Sequence, residues 1–375
     1  MKKDFKDLKI AIVHEWFVNH AGSEKVVQEL LEVFPDASLF ALVDFLKGNQ
    51  RSYLGGRKVN VSFIQRLPFA RKHFRTYFPL FPLAVESHDL REFDLVISSS
   101  HMVSKGILCR QDQLHISYCH SPCRYAWDLY HQYLEEAGLM KGIKGFLAQY
   151  FLHRLRNWDI ISLNRVSHFI ANSAYIGKRI RHVYNRDSAL VYPPVDTARF
   201  RCREQKGDYY FAAGRLVPYK KIDIIADAFS RMPDKKLVLC VGGDADKIRR
   251  LARPNIEILP DCPDARFEEL MAGAKALVFA AEEDFGITMA EALACGTPVI
   301  AYARGGAAEI TQDGKSGVFF EEQVAEQVMA AVRKFEAEGL EWNAGQIAES
   351  AGRFSRQRFR EEMKALIAEK WQTFA

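Results

Sequence analysis

No apolar run in this 375-residue chain approaches the roughly 18 residues needed to cross a bilayer as a helix. No apolar core before a cleavage site opens it either. Met1-Lys-Lys-Asp-Phe-Lys-Asp7 leads directly into the strand-like Leu8–Val13, so a secretory leader is not expected and the cytoplasm is the expected compartment. Cysteine is sparse: the seven residues are odd in number and form no C-x-x-C pair, which argues for buried, reduced thiols and against a disulfide framework. Neither sign of charge is in great excess. A net charge of +5 suits an anionic ligand or an anionic membrane surface and requires no nucleic acid. With 48% hydrophobic and 26% charged residues, disorder and collagen-like repeats are excluded, and the length suffices for two domains.

What is present is an alternation of short Val-, Ile- and Leu-rich runs with amphipathic stretches, as in parallel strands covered on both faces by helices. In the first half, strands are expected at Lys9–Val13, Leu39–Leu42, Val59–Phe63, Asp94–Ser98, Leu114–Tyr118 and His168–Ala171, with a helix over Glu24–Val33 after a turn at Gly22. The segment Tyr192-Pro-Pro-Val-Asp-Thr-Ala-Arg-Phe200 interrupts the pattern, because Pro-Pro continues neither a helix nor a central strand. The second half repeats the theme, with strands at Asp208–Ala212, Lys236–Val241, Asn255–Leu259, Ala276–Ala280 and Thr297–Ala301 and a helix over Ile222–Phe229. This is an α/β pattern of two Rossmann-like domains, 1–203 and 204–355, followed by a helical segment 356–375. Ligands of open parallel sheets lie beyond the carboxyl ends of the strands, so the cleft between two such domains is the expected site.

Two stretches of the second half carry chemistry. In Ala276-Leu-Val-Phe-Ala-Ala-Glu-Glu-Asp-Phe-Gly-Ile-Thr-Met-Ala-Glu291, a strand runs into an acidic loop and then a helix. Gly286 at the helix mouth admits a ligand close to the backbone, and the first amides of the helix favour an anion. Glu283 and Glu291 flank that mouth, and carboxylates are good acceptors for vicinal diols. In Gly214-Arg-Leu-Val-Pro-Tyr-Lys-Lys221, at the end of an expected strand, Arg215 can grip a phosphate in bidentate fashion and Lys220 adds a point charge. Each stretch alone is weak, since paired glutamates and loop lysines are usually solvated. Together they suit a sugar nucleotide.

Arg215 with Lys220, Glu283-x7-Glu291 and Cys295-Gly-Thr-Pro-Val-Ile300 resemble the signature of the GT4 glycosyltransferases, a retaining family of GT-B fold. The resemblance implies parallel sheets facing across a cleft, an acceptor-binding first domain, a nucleotide-sugar-binding second domain, and a last helix that packs back on the first. It implies that Arg215 and Lys220 contact the donor diphosphate, Glu291 the ribose and Glu283 the donor sugar. The backbone of Phe285, Gly286, Ile287 and Thr288 would cradle sugar and phosphate. Lys221 departs from the family pattern, standing where many members have glycine. In the first half, Gly22 of His20-Ala-Gly-Ser-Glu24 matches the glycine turn that approaches the donor phosphate, and His120 of Tyr118-Cys-His-Ser-Pro122 matches a histidine facing the donor sugar. Ser173 is a weaker candidate at a strand end, and His14-Glu15-Trp16, expected just after the first strand, is assigned to the acceptor side. Glu283, His120, Arg215 and Lys220 are the expected catalytic set. No Asp-x-Asp metal motif is evident, so transfer without a metal or other cofactor is expected, the donor being a co-substrate.

Two further stretches interleave basic and aromatic residues: Arg66–Phe81, which holds no acid, and Lys141–Trp158. Such composition suits the interface of an anionic bilayer or, equally, core-facing helices with basic outer residues. The first alternative implies peripheral contact with the inner face of the plasma membrane and a lipid-linked saccharide acceptor. The stretches His14-Glu-Trp16, Gly22-Ser-Glu-Lys25 and Pro122-Cys-Arg-Tyr-Ala-Trp-Asp-Leu-Tyr130 resemble a GT4 branch rich in bacterial mannosyltransferases of O-antigen and exopolysaccharide assembly, which makes GDP-mannose the leading donor. A UDP-sugar donor, a GT-B sugar-nucleotide epimerase and a non-catalytic binder remain as alternatives.

Overall fold

The computed structural model describes residues 3–337 and 342–374 and divides into two compact units. Unit 1 comprises Met1–Pro194 with Gln357–Ala375, and unit 2 comprises Val195–Arg356. The first division falls after Pro194, earlier than the expected boundary at 203. The reason is local: Val195 bridges to Ser355 in parallel and its amide donates to the Phe354 carbonyl at 2.7 Å, so the chain already belongs to unit 2 there.

Unit 1 is built on seven strands: β1 (Ile10–Phe17), β2 (Ser38–Asp44), β3 (Val59–Val61), β4 (Leu95–Ser100), β5 (Leu114–Cys119), β6 (His168–Ala171) and β7 (Ser188–Leu190). They are ordered β3-β2-β1-β4-β5-β6-β7 and every pairing is parallel. Successive side chains of β1 serve the two faces. Ile10 and Ile12 enter one apolar cluster with Val26, Val27, Leu30 and Leu31 of the helix Gly22–Val33, while Ala11 and Val13 enter another with Phe74 and Phe81. Burial on both faces is what a parallel strand requires.

The helix Arg356–Thr373 buries Phe359, Met363, Ile367 and Trp371, which recur every fourth residue and so share one face, in the core of unit 1. Phe359 meets Tyr118 edge-on, and the Trp371 indole N–H donates to the Lys3 carbonyl. Each such side chain contributes roughly 1.5–3 kcal/mol by burial.

Unit 2 has six strands: β8 (Tyr210–Arg215), β9 (Leu237–Gly242), β10 (Ile256–Pro260), β11 (Ala276–Phe279), β12 (Val299–Tyr302) and β13 (Gly317–Phe320). Their order is β10-β9-β8-β11-β12-β13, again all parallel. The order reverses between β1 and β4 in the first sheet and between β8 and β11 in the second. A crevice opens at such a switch point, beyond the carboxyl ends of the two strands. No helix among the described residues is long and apolar enough to cross a membrane.

Candidate active site

At the switch point of unit 2 the two charged motifs meet. Arg215 closes β8 and its guanidinium donates to the Tyr219 hydroxyl at 2.8 Å. The turn Pro218–Lys220 follows, and the Lys220 ammonium lies 2.5 Å from Glu283 Oε1, in the loop beyond β11. Both side chains are four-fifths buried, so the pair is partly desolvated and its attraction is stronger than on open surface. Lys221 adopts φ +55°, the left-handed conformation that favours glycine, and this accounts for glycine at the position in many family members.

While Lys220 meets its carboxylate, the main chain of Glu283 is held by backbone contacts. The Gly306 amide donates to the Glu283 carbonyl at 2.8 Å, and a Cβ on Gly305 would stand 2.3 Å from that same oxygen. A Cβ on Gly306 would stand 2.2 Å from the Phe285 carbonyl oxygen. The Gly305-Gly306 pair beyond β12 therefore lets one loop close on the next. A second pair, Gly242-Gly243, ends β9 opposite Arg215, with Gly243 at φ +104°. The sequence reading missed both pairs, although a double glycine shortly beyond an expected strand was the available signal.

Gly286, at φ +89°, precedes the helix Ile287–Ala294, whose opening residues Ile287 and Thr288 are half-buried. Phe285 is buried edge-on against Phe354, which fixes the loop from beneath. Glu291 lies one turn into the helix and is buried. The arrangement offers two cations and a helix mouth to an anion, and a carboxylate to hydroxyl groups.

Unit 1 carries a different constellation at its own switch point. His14, Glu15 and Trp16 lie within β1, not after it, because parallel pairing with β2 continues through Phe17. Glu15, assigned by sequence to the acceptor side, is fully enclosed. Its Oε1 accepts from the amides of His101, Met102, Val103 and Ser104 at 2.8–3.1 Å and from the hydroxyls of Ser100 and Ser104. Burial would raise its pKa, but His101 and these amides outweigh burial and hold it below the usual value. Glu15 thus organises the turn after β4 instead of lining an open surface.

Next to it, His14 joins Glu24 to Ser99. His14 Nε2 lies 3.6 Å from Glu24 Oε1, an electrostatic contact too long for a hydrogen bond, and His14 Nδ1 lies 3.2 Å from Ser99 Oγ. Ser99 Oγ is in turn 2.8 Å from His120 Nε2. Glu24 also accepts from the Ala21 amide at 3.1 Å, capping the helix Gly22–Val33. Although burial opposes ionisation of Glu24, His14 leads the groups that hold its pKa down to about 2. Burial, assisted by His101 and His14, keeps the His120 ring neutral by lowering its pKa far below the ordinary value. A Cβ on Gly22 would meet nothing within 4 Å, so the space above this helix mouth is open. Ser173 instead caps the helix Ala174–Tyr184, accepting from the Ile176 amide at 3.0 Å.

Among the described residues no group of three or more His, Cys, Asp and Glu side chains is placed to hold a metal ion. Asp244-Ala-Asp246 is an Asp-x-Asp sequence that the sequence reading passed over. Asp244 Oδ1 accepts from the Asp246 amide at 3.0 Å and Asp246 pairs with Arg249, so the two carboxylates open the helix Asp246–Leu251.

Two all-parallel sheets of this kind, with cations and carboxylates at a switch point, define the GT-B class of α/β proteins. The solved structure of HepE from Anabaena, in complex with UDP and glucose, shares this fold: TM-score 0.68 at 16% identity, covering 96% of this chain and 99% of that one. So does the lipopolysaccharide outer core galactosyltransferase WaaB, with a TM-score of 0.67 at 17% identity over 97% of this chain and 100% of that one.

Family models match in succession, Glycosyltransferase Family 4 over residues 21–199 and Glycosyl transferases group 1 over residues 196–355. The chain belongs to the GT4 glycosyltransferase family. Among curated proteins, it is 31% identical over 230 residues to the D-inositol 3-phosphate glycosyltransferase of Geodermatophilus obscurus, covering 50% of this chain and 49% of that protein. It is 29% identical to that of Thermomonospora curvata, covering 40% and 44%. The chain spans about half the length, or less, of these curated relatives.

Proposed function

We propose that this protein is a retaining glycosyltransferase that moves a hexose, with mannose from GDP-mannose as the leading donor, to a hydroxyl of a lipid-linked saccharide during assembly of a bacterial surface polysaccharide. The observation that carries the transferase reading is the meeting of Arg215 and Lys220 with Glu283 beside the helix mouth at Gly286. In the proposed reaction the acceptor oxygen bonds to the anomeric carbon as the bond from that carbon to the diphosphate oxygen breaks. The acceptor proton passes to the leaving phosphate. Negative charge grows on the diphosphate, where Arg215, Lys220 and the helix mouth favour it electrostatically. Glu283 would hold hydroxyls of the transferred sugar, Glu291 the ribose, and the neutral His120 ring a sugar hydroxyl, with Gly22 leaving room for phosphate. No residue is assigned as a metal ligand in this scheme.

GDP-mannose rests on the resemblance of the His14, Gly22 and Pro122 segments to bacterial mannosyltransferases. A UDP-sugar donor is the second reading, favoured by the UDP bound in the HepE structure. A thermal-shift screen of nucleotide sugars separates them, because a donor present far above its Kd raises stability by several kcal/mol. Transfer is then tested with Glu283→Gln, which should bind the nucleotide as before and lose turnover. Full turnover by that variant would remove Glu283 from the reaction. The cytoplasmic, membrane-peripheral location proposed with this scheme is tested by flotation with anionic vesicles at two salt concentrations.

A further inference from the structure

The two basic, aromatic stretches are distant in sequence but adjacent in unit 1. Phe78 of one and Phe151 of the other meet edge-on, 6.2 Å between ring centroids. Between them lies a cavity of about 320 Å³, lined by Trp16, Phe78, Phe81, Met102, Tyr125 and Leu152 among others. Its lining contains no carboxylate, and its one cation is Arg75, whose guanidinium stands 5.5 Å from the Trp16 ring centre and 4.8 Å from that of Phe74.

The helix Gly142–Ser162 forms one wall of this cavity and has two unlike halves. Its second half is fixed: Asp159 pairs with the buried Lys105 and accepts from the Trp127 indole at 2.8 Å. Its first half is apolar toward the cavity through Ala148 and Leu152, and apolar toward solvent as well, with Ile143 81% and Phe146 70% exposed. A core-facing helix with a basic outer side would not present these residues to water. Nearby, Phe69 is 81% exposed among Arg66, Arg71 and Lys72, in a segment without a single acid.

We infer that this cavity is a binding site for the hydrocarbon chain of a phosphate-bearing lipid, with Arg75 at its rim meeting the phosphate. The inference rests on the proposed lipid-linked acceptor and gives it a location. An apolar cavity with one cation matches an amphiphile that has one apolar tail and one anionic group. The cationic, acid-free segment beside it favours an anionic source over a neutral one, and the solvent-facing Ile143 and Phe146 continue the apolar surface outward from the cavity wall.

The test is titration calorimetry of the full chain with dodecyl phosphate below its micellar concentration, with dodecanol and inorganic phosphate as separate arms. Dodecyl phosphate should bind more tightly than either of the others. Ala148→Phe, which fills the cavity and leaves the exposed helix face intact, should weaken dodecyl phosphate by at least about tenfold. Arg75→Gln changes only an exposed side chain, which guards against a variant that fails to fold. It should weaken dodecyl phosphate several-fold and leave dodecanol unchanged.

The inference is overturned by a wild-type chain that ignores dodecyl phosphate, by an unchanged affinity in both variants, or by binding to anionic vesicles alone. Concentration-dependent pairing of chains that Ala148→Phe abolishes would also overturn it, because a second copy would then be the occupant. Dodecyl phosphate binding without sugar transfer would remove the transferase reading and leave the cavity assignment standing. Transfer to a water-soluble acceptor without dodecyl phosphate binding would do the reverse.

Discussion

The two sheets reverse their strand order at equivalent places, yet the groups beyond those places differ in kind. In unit 1, Glu24, His14, Ser99 and His120 are linked side chain to side chain, and Glu15 is bound by backbone amides; all but the half-buried His120 are closed to water. In unit 2, Arg215 and Lys220 are more open, and the loop bearing Glu283 is positioned by glycine-to-backbone contacts. All eleven histidines of the chain fall between His14 and His182, hence in unit 1. The contrast separates two ways of preparing charge. Unit 1 fixes the neutral His120 ring and buried carboxylates in a closely bonded network, whereas unit 2 offers Arg215 and Lys220 to a ligand that brings its own negative charge.

The largest effect that would break this contrast is expected at Arg215. Arg215→Ala should cost on the order of 2–4 kcal/mol in kcat/KM, comparable to the loss of one oxyanion donor, with little change in unfolding midpoint. A variant with normal kinetics would place the electrostatic work elsewhere. At Glu15 the opposite pattern is expected. Glu15→Ala strips the acceptor from four amides, three of them buried, so it should cost about 3 kcal/mol of stability, read from the urea midpoint.

Acid should then act on unit 1 through its histidines. Burial holds His88 and His115 each down to about 4, below the ordinary 6.5 of the unfolded chain. The unfolded state therefore binds more protons below pH 6.5, and stability falls as pH drops from 6.5 to 4, at most by on the order of 3 kcal/mol for each ring. Urea denaturation followed by tryptophan fluorescence reports chiefly unit 1, which holds Trp16, Trp127, Trp158 and Trp371, with Trp342→Phe removing the signal of unit 2. Its midpoint should fall between pH 7 and pH 5, and an unchanged midpoint would erase the distinction. The smallest effect is expected at Lys221. Lys221→Gly relieves a left-handed backbone and should raise stability by about 0.5 kcal/mol, with a matching loss of donor affinity only if the ammonium reaches the phosphate.

Most strands are legible in the sequence because burial on both faces demands unbroken Val, Ile and Leu, as in Leu237–Val241. The short edge strands β7 and β13 are not, since three or four residues at the margin of a sheet need no such run. Arg215, Lys220 and Glu283 are legible because each stands near a strand end and a glycine or proline turn, and Glu291 because it follows the glycine at a helix mouth. The union of His14, Ser99 and His120 is not, because it depends on β1, β4 and β5 lying side by side, an order set by packing. Glu15 misleads for a related reason: an acid near a strand end suggests an open crevice, while its actual partners are five consecutive residues from Ser100 to Ser104.

The return of the chain to unit 1 at Gln357 has a consequence for the newborn polypeptide. Val195–Arg356 forms a continuous stretch with its own apolar interior, so it can settle without the residues that follow it. The earlier-made Met1–Pro194 must wait, its interior lacking Phe359, Met363, Ile367 and Trp371 until they emerge. The later-made portion can finish first, and Met1–Pro194 is the part that a product stalled or clipped before Phe359 would leave incomplete.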